Sequence, residues 1–337
     1  MTLRSSRPDH PHLMLSAPDR GVPTHRKATE AAVLPFSSAR SVMSKRRRTS
    51  SRRRFGVSSP RYDRPVTRPF VSLLTDFGLR DMSAAIVRGV VLGIAPDAEV
   101  LDITHEVRKY RIRDGALMLW CALPYLPVGI HVAVVDPGVG TARRPLAIRT
   151  GRGDTLIGPD NGLLLPAAGR LGGVAAAREL AEPAYRLPVI TATFHGRDIF
   201  APAAAHLANG VALEALGPAV DPATLVPSPL PEARVAPGRL DAEAVYVDTF
   251  GNVKTSALMA DLGAALGALA PGAGLRVAMG DGRELALPWS PVFWHVPPGS
   301  PMIYADAYDR VCIAVNQGNA AASLGLEEDL SISIRRG

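Results

Sequence analysis

Short apolar blocks separated by polar or glycine clusters run along the chain from Pro69 onward. Short apolar runs such as FVSLL (70–74) and the β-branched run HVAVV (131–135) are typical of buried strands. The segments 82–96 and 112–126 show the helical period instead, and the first should end near Pro96. Strands alternating with helices predict an α/β unit with a mainly parallel sheet flanked by helices.

The pattern changes after residue 217. Residues 218–235 are rich in proline, which is typical of a linker, and the alternating runs that follow are separated by Asp-Gly turns. We therefore predict four regions: a leader (1–68), an α/β N-terminal domain (69–217), a linker (218–235) and a smaller antiparallel β-rich C-terminal domain (236–337).

The charge is distributed unevenly between these regions. The chain carries a formal charge of +7, but residues 1–68 hold 16 Lys/Arg and 4 Asp/Glu, a net of +12, which leaves −5 for the remainder. The leader contains KRRRTSSRRR (45–54) and no apolar periodicity, so we expect a solvated tail or an upstream start-site extension. Its arginine cluster is the part of the chain that could contact nucleic acid.

Several classes of protein are disfavoured by the composition. The chain has no apolar run of the ~18 residues that a membrane span needs and no secretory signal pattern, so we expect no membrane partner. Its two cysteines, Cys121 and Cys312, offer no disulfide framework and no metal-ligand spacing. These features favour a cytoplasmic protein.

Polar clusters follow several predicted strands. Because the carboxyl ends of parallel strands meet at one edge, where open α/β sheets bind ligands, these residues could line a crevice. Each could equally be a turn former. With His195 and Asp198, the aspartates and the histidine among them would also suffice for a two-metal hydrolase, although Arg143, Arg144 and Arg197 lie close by in sequence and disfavour a bound cation. The strand-end residues are Asp76, Asp102 with His105, Asp136, and Asp160 with Asn161.

GVGTAR (138–143) is not a dinucleotide-binding fingerprint. Arg143 replaces the third glycine, and RRPLAIR continues as a predicted strand, so no helix N-terminus is available for a pyrophosphate.

Six motifs in order along residues 70–337 resemble those of the S-adenosylmethionine hydroxide adenosyltransferases, relatives of the fluorinating and chlorinating enzymes. The motifs are TDFG, DITHEV, VVDPGVGT, PDNGLL, TFHGRDIFAPAAA and VDTFGNV. The resemblance implies hydrolysis of S-adenosyl-L-methionine to adenosine and L-methionine, by attack of water at the ribose C5′. It implies no metal and no cofactor, because the sulfonium already supplies the electrophile.

The resemblance also implies roles for individual residues. Asp136 and His195 would orient the water and accept its proton, and Arg143 would hold the developing hydroxide charge. The implied substrate contacts are Asp76 to the ribose hydroxyls, Asn252 to the adenine edge, Phe194 against the adenosine, Asp81, Ser83 and Asp248 around the methionine, and Asn316 in a stretch that meets adenine. Tyr308 follows Ala307 where relatives carry Ser followed by His or Arg near the methionine carboxylate.

The family forms trimers in which the nucleoside pocket lies between the N-terminal domain of one subunit and the C-terminal domain of its neighbour, so the resemblance implies a homotrimer. The halogenating relatives carry an uncharged residue in place of Asp136 and a serine in place of Gly196, so this chain has the hydrolase pattern. A metal-dependent phosphoester or nucleotide hydrolase, a halogenase, and a non-enzymatic protein that acts through a nucleic-acid-binding leader remain as alternatives.

Overall fold

The computed structural model describes residues 68–337. Residues 1–67 of the predicted leader therefore lie outside the described residues, and so does the nucleic-acid contact predicted for its arginine cluster. Within residues 68–337 no helix combines the length and the apolar composition that crossing a membrane would require.

The first half of the described chain forms a six-stranded sheet. Its strands are β1 (Phe70–Thr75), β2 (Glu99–Thr104), β3 (Ile130–Val134), β4 (Pro145–Thr150), β5 (Thr155–Pro159) and β6 (Val174–Glu179). The order is β2-β1-β3-β5-β4-β6. Strands β2, β1, β3 and β5 run parallel to one another, whereas β4 is antiparallel to both β5 and β6. The mainly parallel sheet predicted from the sequence is confirmed.

Helices cover both faces of this sheet. Successive side chains of a strand point to opposite faces, so apolar side chains of the strands lie on both faces and pack against helices. The helices are α1 (Ser83–Ile94), α2 (Ile112–Ala122), α3 (Leu165–Arg170) and α4 (Ala201–Ala208). Val71 and Leu73 of β1 pack in one core with residues of α1 and α4. Leu74 faces the other side, in a second core with residues of α2 and α3. The predicted helices at 82–96 and 112–126 are confirmed.

The second half forms an antiparallel sheet of eight strands. They are β7 (Arg234–Ala236), β8 (Arg239–Val247), β9 (Val253–Leu258), β10 (Gly274–Met279), β11 (Glu284–Pro288), β12 (Pro301–Ala305), β13 (Arg310–Val315) and β14 (Ser331–Arg336). Two helices accompany them, α5 (Met259–Leu266) and α6 (Ala320–Leu324). The predicted antiparallel β region is therefore confirmed, although the pattern analysis did not identify α5.

An ion-pair cluster joins the two halves. Glu328 precedes β14, and its carboxylate accepts hydrogen bonds from Arg108 (2.7 Å) and Arg111 (3.0 Å), which lie between β2 and α2. The other oxygen of Glu328 accepts the backbone N–H of Val247 at 3.1 Å. Since the side chain of Glu328 is only 10% exposed, this cluster holds the segment 108–111 firmly against the second sheet.

Candidate active site

Two adjacent parallel strands deliver carboxylates to the same edge of the first sheet. Thr75 at the end of β1 pairs with Val134 at the end of β3. Asp76 follows the first strand directly, and Asp136 follows the second after Val135. This is the carboxyl edge of the sheet, where a crevice forms in open α/β folds.

Asp136, Arg143 and His195 are in direct contact at this edge. The Nε of Arg143 donates to both carboxylate oxygens of Asp136 at 3.0 Å, and its Nη2 donates to Oδ2 as well. The same Nη2 lies 2.8 Å from Nδ1 of His195. The guanidinium also lies over the buried ring of Phe200, 5.3 Å from its centroid. The structure therefore brings together the three residues predicted to be catalytic.

Glycine at position 140 allows the two loops that carry these residues to meet. Gly140 has a φ of +79°, and a Cβ at this position would lie 2.5 Å from the backbone oxygen of Ala192. A side chain there would therefore separate the loop 136–143 from the loop 191–195. This close approach is the reason that Arg143 can reach His195.

The contact with Arg143 also determines the protonation state of His195. A guanidinium only donates hydrogen bonds, so Nδ1 of His195 must be the acceptor and its proton must lie on Nε2. Burial lowers the pKa of His195, and the nearby positive charge of Arg143 lowers it further, outweighing the opposite effect of Asp136. The imidazole is thus neutral at pH 7, with its Nε2–H as a donor.

A pocket of about 290 Å³ opens at the same edge. Six of the residues predicted to act in catalysis or substrate binding line it: Asp76, Asp81, Ser83, Asp136, Phe194 and His195. The remaining lining residues are Phe77, Lys109, Tyr110, Val134, Val139, Thr193 and Gly196. Arg143 is not among them, so it contacts the pocket through Asp136 and His195.

Lys109 and Tyr110 were missed by the sequence reasoning. The backbone N–H of Tyr110 donates to Oδ2 of Asp76 at 2.9 Å, and the ammonium of Lys109 donates to the backbone oxygen of Asp76. Tyr110 has a φ of +65°, which is unusual for a residue other than glycine. The one available signal was the basic run RKYR (108–111), which follows the DITH motif closely.

Four residues predicted to bind substrate lie in the second sheet region and do not line this pocket. Asp248 and Asn252 bracket a turn in which the Asp248 carboxylate accepts both the backbone and the side-chain N–H of Asn252, each at 3.0 Å. The side-chain amide of Asn316 donates to Val296 O at 2.7 Å. The ring of Tyr308 packs edge-on against Tyr125 at 6.2 Å.

Other polar residues of the predicted crevice are engaged in holding the structure. Asp160 accepts from Arg144 (2.8 Å) and from the backbone N–H of Val226 (2.9 Å), which fastens the segment after residue 217 to the first sheet. Asn161 donates to the backbone oxygen of Val135 at 2.9 Å and so supports the strand before Asp136. These two residues act as structural groups.

His105, Asp102 and Asp198 have structural partners as well. His105 lies 2.8 Å from Thr75 Oγ1 and 3.3 Å from Asp102 Oδ1. The fully buried Asp198 accepts the backbone N–H (2.8 Å) and hydroxyl (2.7 Å) of Thr191, closing the loop that carries His195. Across residues 68–337, no three His, Cys, Asp or Glu side chains are grouped so that they could hold a metal ion.

Comparison with known proteins agrees with this geometry. Residues 71–217 match the model of the SAM hydroxide adenosyltransferase N-terminal domain, and residues 242–333 match that of the C-terminal domain. The chain belongs to the SAM hydroxide adenosyltransferase family.

This chain aligns with nearly the whole length of the related proteins. A protein of Salinispora arenicola named (R)-S-adenosyl-L-methionine hydrolase is 46% identical over 258 residues, which are 77% of this chain and 94% of that protein. A Thermus thermophilus protein of the same name is 40% identical, over 78% of this chain and 98% of its own. The crystal structure of an uncharacterized conserved protein from Thermotoga maritima superposes with a TM-score of 0.73 at 32% identity, covering 79% of this chain and 100% of that one.

Proposed function

We propose that this protein hydrolyses S-adenosyl-L-methionine to adenosine and L-methionine. The observation that carries the proposal is the contact of Asp136, Arg143 and His195 at the pocket of the first sheet. It occurs in a chain that is 46% identical to a protein named (R)-S-adenosyl-L-methionine hydrolase. This activity makes the protein an enzyme that needs no cofactor, with S-adenosyl-L-methionine as its substrate.

In the proposed reaction a water oxygen forms a bond to the ribose C5′ while the bond from C5′ to sulfur breaks. The bonding electron pair goes to the sulfonium, which leaves as the neutral thioether of methionine and needs no general acid. Positive charge therefore moves from sulfur to the attacking oxygen. The carboxylate of Asp136 stabilises that charge, accepts a hydrogen bond from the water and passes the excess proton to solvent.

Arg143 and His195 complete this arrangement. Arg143 fixes the orientation of the Asp136 carboxylate through two of its nitrogens, and it holds His195 in one tautomer. The Nε2–H of His195 is then available to donate to the water oxygen and align it. In this tautomer His195 does not accept the proton of the water, as the resemblance implied, and Asp136 alone has that role. Arg143 acts on the reaction through these two side chains, because it does not itself line the pocket.

We propose further that the site is completed by a neighbouring subunit in a trimer. The pocket is small for a whole nucleoside and amino acid, and Asn252 and Asn316 lie outside it. Exposed aromatic side chains accompany these two residues in the second sheet region: Phe250 is 77% exposed and Trp294 is 86% exposed. Phe and Trp are enriched in the interfaces between protein subunits.

Hydrolysis is favoured over halogenation by the packing around Gly196. A Cβ at this position would lie 3.0 Å from the ring of Phe77, which lines the same pocket. A serine here, as in the halogenating relatives, would require that ring to move.

Product analysis tests the function against its alternatives. Incubation of the full chain with S-adenosyl-L-methionine and EDTA should yield adenosine and methionine in equal amounts, at the rate seen without EDTA. Turnover that is lost with EDTA and restored by a divalent cation would favour the metal-dependent hydrolase instead. Absence of any turnover would contradict the hydrolase, and it is the result expected of a non-enzymatic protein.

A further inference from the structure

Lys109 is the single lysine or arginine among the described residues that line the pocket. Its ammonium group has three N–H donors, and one of them is used in a hydrogen bond to the backbone oxygen of Asp76. Residues 68–337 contain two lysines. Lys254 forms an ion pair with Asp306 at 2.6 Å, whereas Lys109 has no carboxylate oxygen within 4.0 Å in this part of the chain. The pocket therefore contains an ammonium group that no carboxylate of residues 68–337 neutralises by direct contact.

The position of this ammonium is set by the fold. Its neighbours Arg108 and Arg111 are both held by Glu328, at 2.7 and 3.0 Å. The next residue, Tyr110, is fixed through its backbone N–H to Asp76. With anchors on both sides, Lys109 keeps its place at the pocket before any ligand arrives, which lowers the entropic cost of using it.

The charges of the proposed substrate determine what Lys109 can bind. S-adenosyl-L-methionine carries positive charge on its sulfonium and its α-ammonium, and its α-carboxylate is its one anionic group. A fixed ammonium repels the first two groups and attracts the third. The same pocket contains Asp81, whose carboxylate accepts the N–H of Ser83 at 2.9 Å. The bonds from Ser83, and to a smaller degree the charge of Lys109, lower the pKa of Asp81.

We propose that Lys109 binds the α-carboxylate of the methionine moiety. The inference rests on the proposed function and names the residue that makes the enzyme select an amino-acid sulfonium. Two methylene groups and the α-carbon separate the carboxylate from the sulfur, so Lys109 contributes to substrate binding and leaves the bond-breaking step to Asp136.

Kinetics with two substrates test this role. The variants are Lys109→Met, which keeps the length of the side chain and removes its charge, and Lys109→Arg, which keeps the charge. Each is assayed with S-adenosyl-L-methionine and with decarboxylated S-adenosylmethionine, which has the same sulfonium and no α-carboxylate. Arg276→Met is the matched control, because it removes a positive charge from an exposed pair with Glu284.

Loss of a hydrogen bond to a charged group should lower kcat/KM of Lys109→Met for S-adenosyl-L-methionine by about 10- to 100-fold, through KM. The value for the decarboxylated substrate should stay within about threefold, because that substrate lacks the group that Lys109 binds. Lys109→Arg should retain most of the selectivity, and Arg276→Met all of it. An equal loss with both substrates would overturn the proposal, since it would mean that Lys109 merely supports Asp76. A selectivity loss in Lys254→Met instead of Lys109→Met would also overturn it.

A binding measurement separates this inference from the hydrolase assignment. By calorimetry, L-methionine should bind the adenosine-saturated protein at least about tenfold more weakly in Lys109→Met than in wild type. If wild type binds methionine in this way but releases no adenosine from S-adenosyl-L-methionine, the hydrolysis is wrong and the carboxylate site stands. Equal methionine affinity in the two proteins would contradict the carboxylate site alone, and no binding by wild type would contradict both.

Discussion

An aspartate, an arginine and a histidine are in contact at each of the two edges of the first sheet, but only one of these two groups borders a pocket. At the carboxyl edge, Asp136, Arg143 and His195 border a pocket. At the amino edge, Asp154 accepts from Arg152 at 2.7 and 2.8 Å and lies 3.1 Å from Nε2 of His131. Burial lowers the pKa of both histidines.

The difference lies in which polar atoms are already satisfied. Both ring nitrogens of His131 are engaged, since its Nδ1 also lies 2.7 Å from the hydroxyl of Ser72, and neither His131 nor Asp154 is more than 1% exposed. Within residues 68–337, His195 is hydrogen-bonded through Nδ1 only, and it faces the pocket. A carboxylate, a guanidinium and an imidazole therefore stabilise the structure when every group is paired, and they leave a hydrogen-bond donor facing a pocket when one ring nitrogen has no partner within residues 68–337.

The largest effect should come from Asp136→Ala. Removing the carboxylate that orients the water should lower kcat by about 10²- to 10⁴-fold, while adenosine affinity changes little, because Asp76 and Phe194 remain. Steady-state kinetics and calorimetry with adenosine measure the two quantities. An unchanged kcat would remove Asp136 from the mechanism.

Asp154→Ala should show the reverse pattern, with a loss of stability and no specific loss of chemistry. Burial raises the pKa of Asp154, but hydrogen bonds from Arg152 and His131 outweigh this and lower it, so the carboxylate is charged at pH 7. Deleting it leaves those partners unpaired and should lower the free energy of unfolding by about 3–5 kcal/mol. Urea unfolding measures the loss, and kcat per folded molecule should stay near the wild-type value. A large drop in kcat without a change in stability would break the comparison between the two edges.

The smallest effect is expected in the pH dependence of turnover. Because the pKa of His195 is lowered, protonation of its Nδ1 should occur below the usual value of about 6.5. Turnover should therefore be constant above about pH 6.5 and decline at lower pH, as the hydrogen bond from Arg143 is lost. In His195→Gln, whose side-chain oxygen can still accept from Arg143, the acid decline should disappear at a lower overall rate. An unaltered pH profile in this variant would exclude His195 as its source.

Much of the fold could be predicted because strand and helix periods differ clearly. The strands before Asp76 and Asp136 are short, apolar and followed closely by glycine, and the segment 82–96 between them has a clear helical period. Helix α5 was missed because its eight residues are too few to show a clear helical period. The short helix α3 and strand β6 were not predicted either.

Less of the site could be predicted from local pattern. Asp160 and Asp198 have the same sequence character as Asp136. Only the tertiary structure shows that they accept from backbone N–H groups as well as from arginines and that they do not line the pocket. The approach of His195 to Arg143, 52 positions away, depends on the contact between Gly140 and Ala192, which no local pattern contains. Family resemblance, and not periodicity, identified these three residues in advance.

The central claim is that water attached at C5′ becomes the 5′-hydroxyl of adenosine. Turnover of S-adenosyl-L-methionine in oxygen-18 water, followed by mass spectrometry of both products, tests it directly. The account predicts one heavy oxygen in the adenosine and none in the methionine, with the signal lost in Asp136→Ala. Unlabelled adenosine, or release of free adenine in place of adenosine, would contradict it.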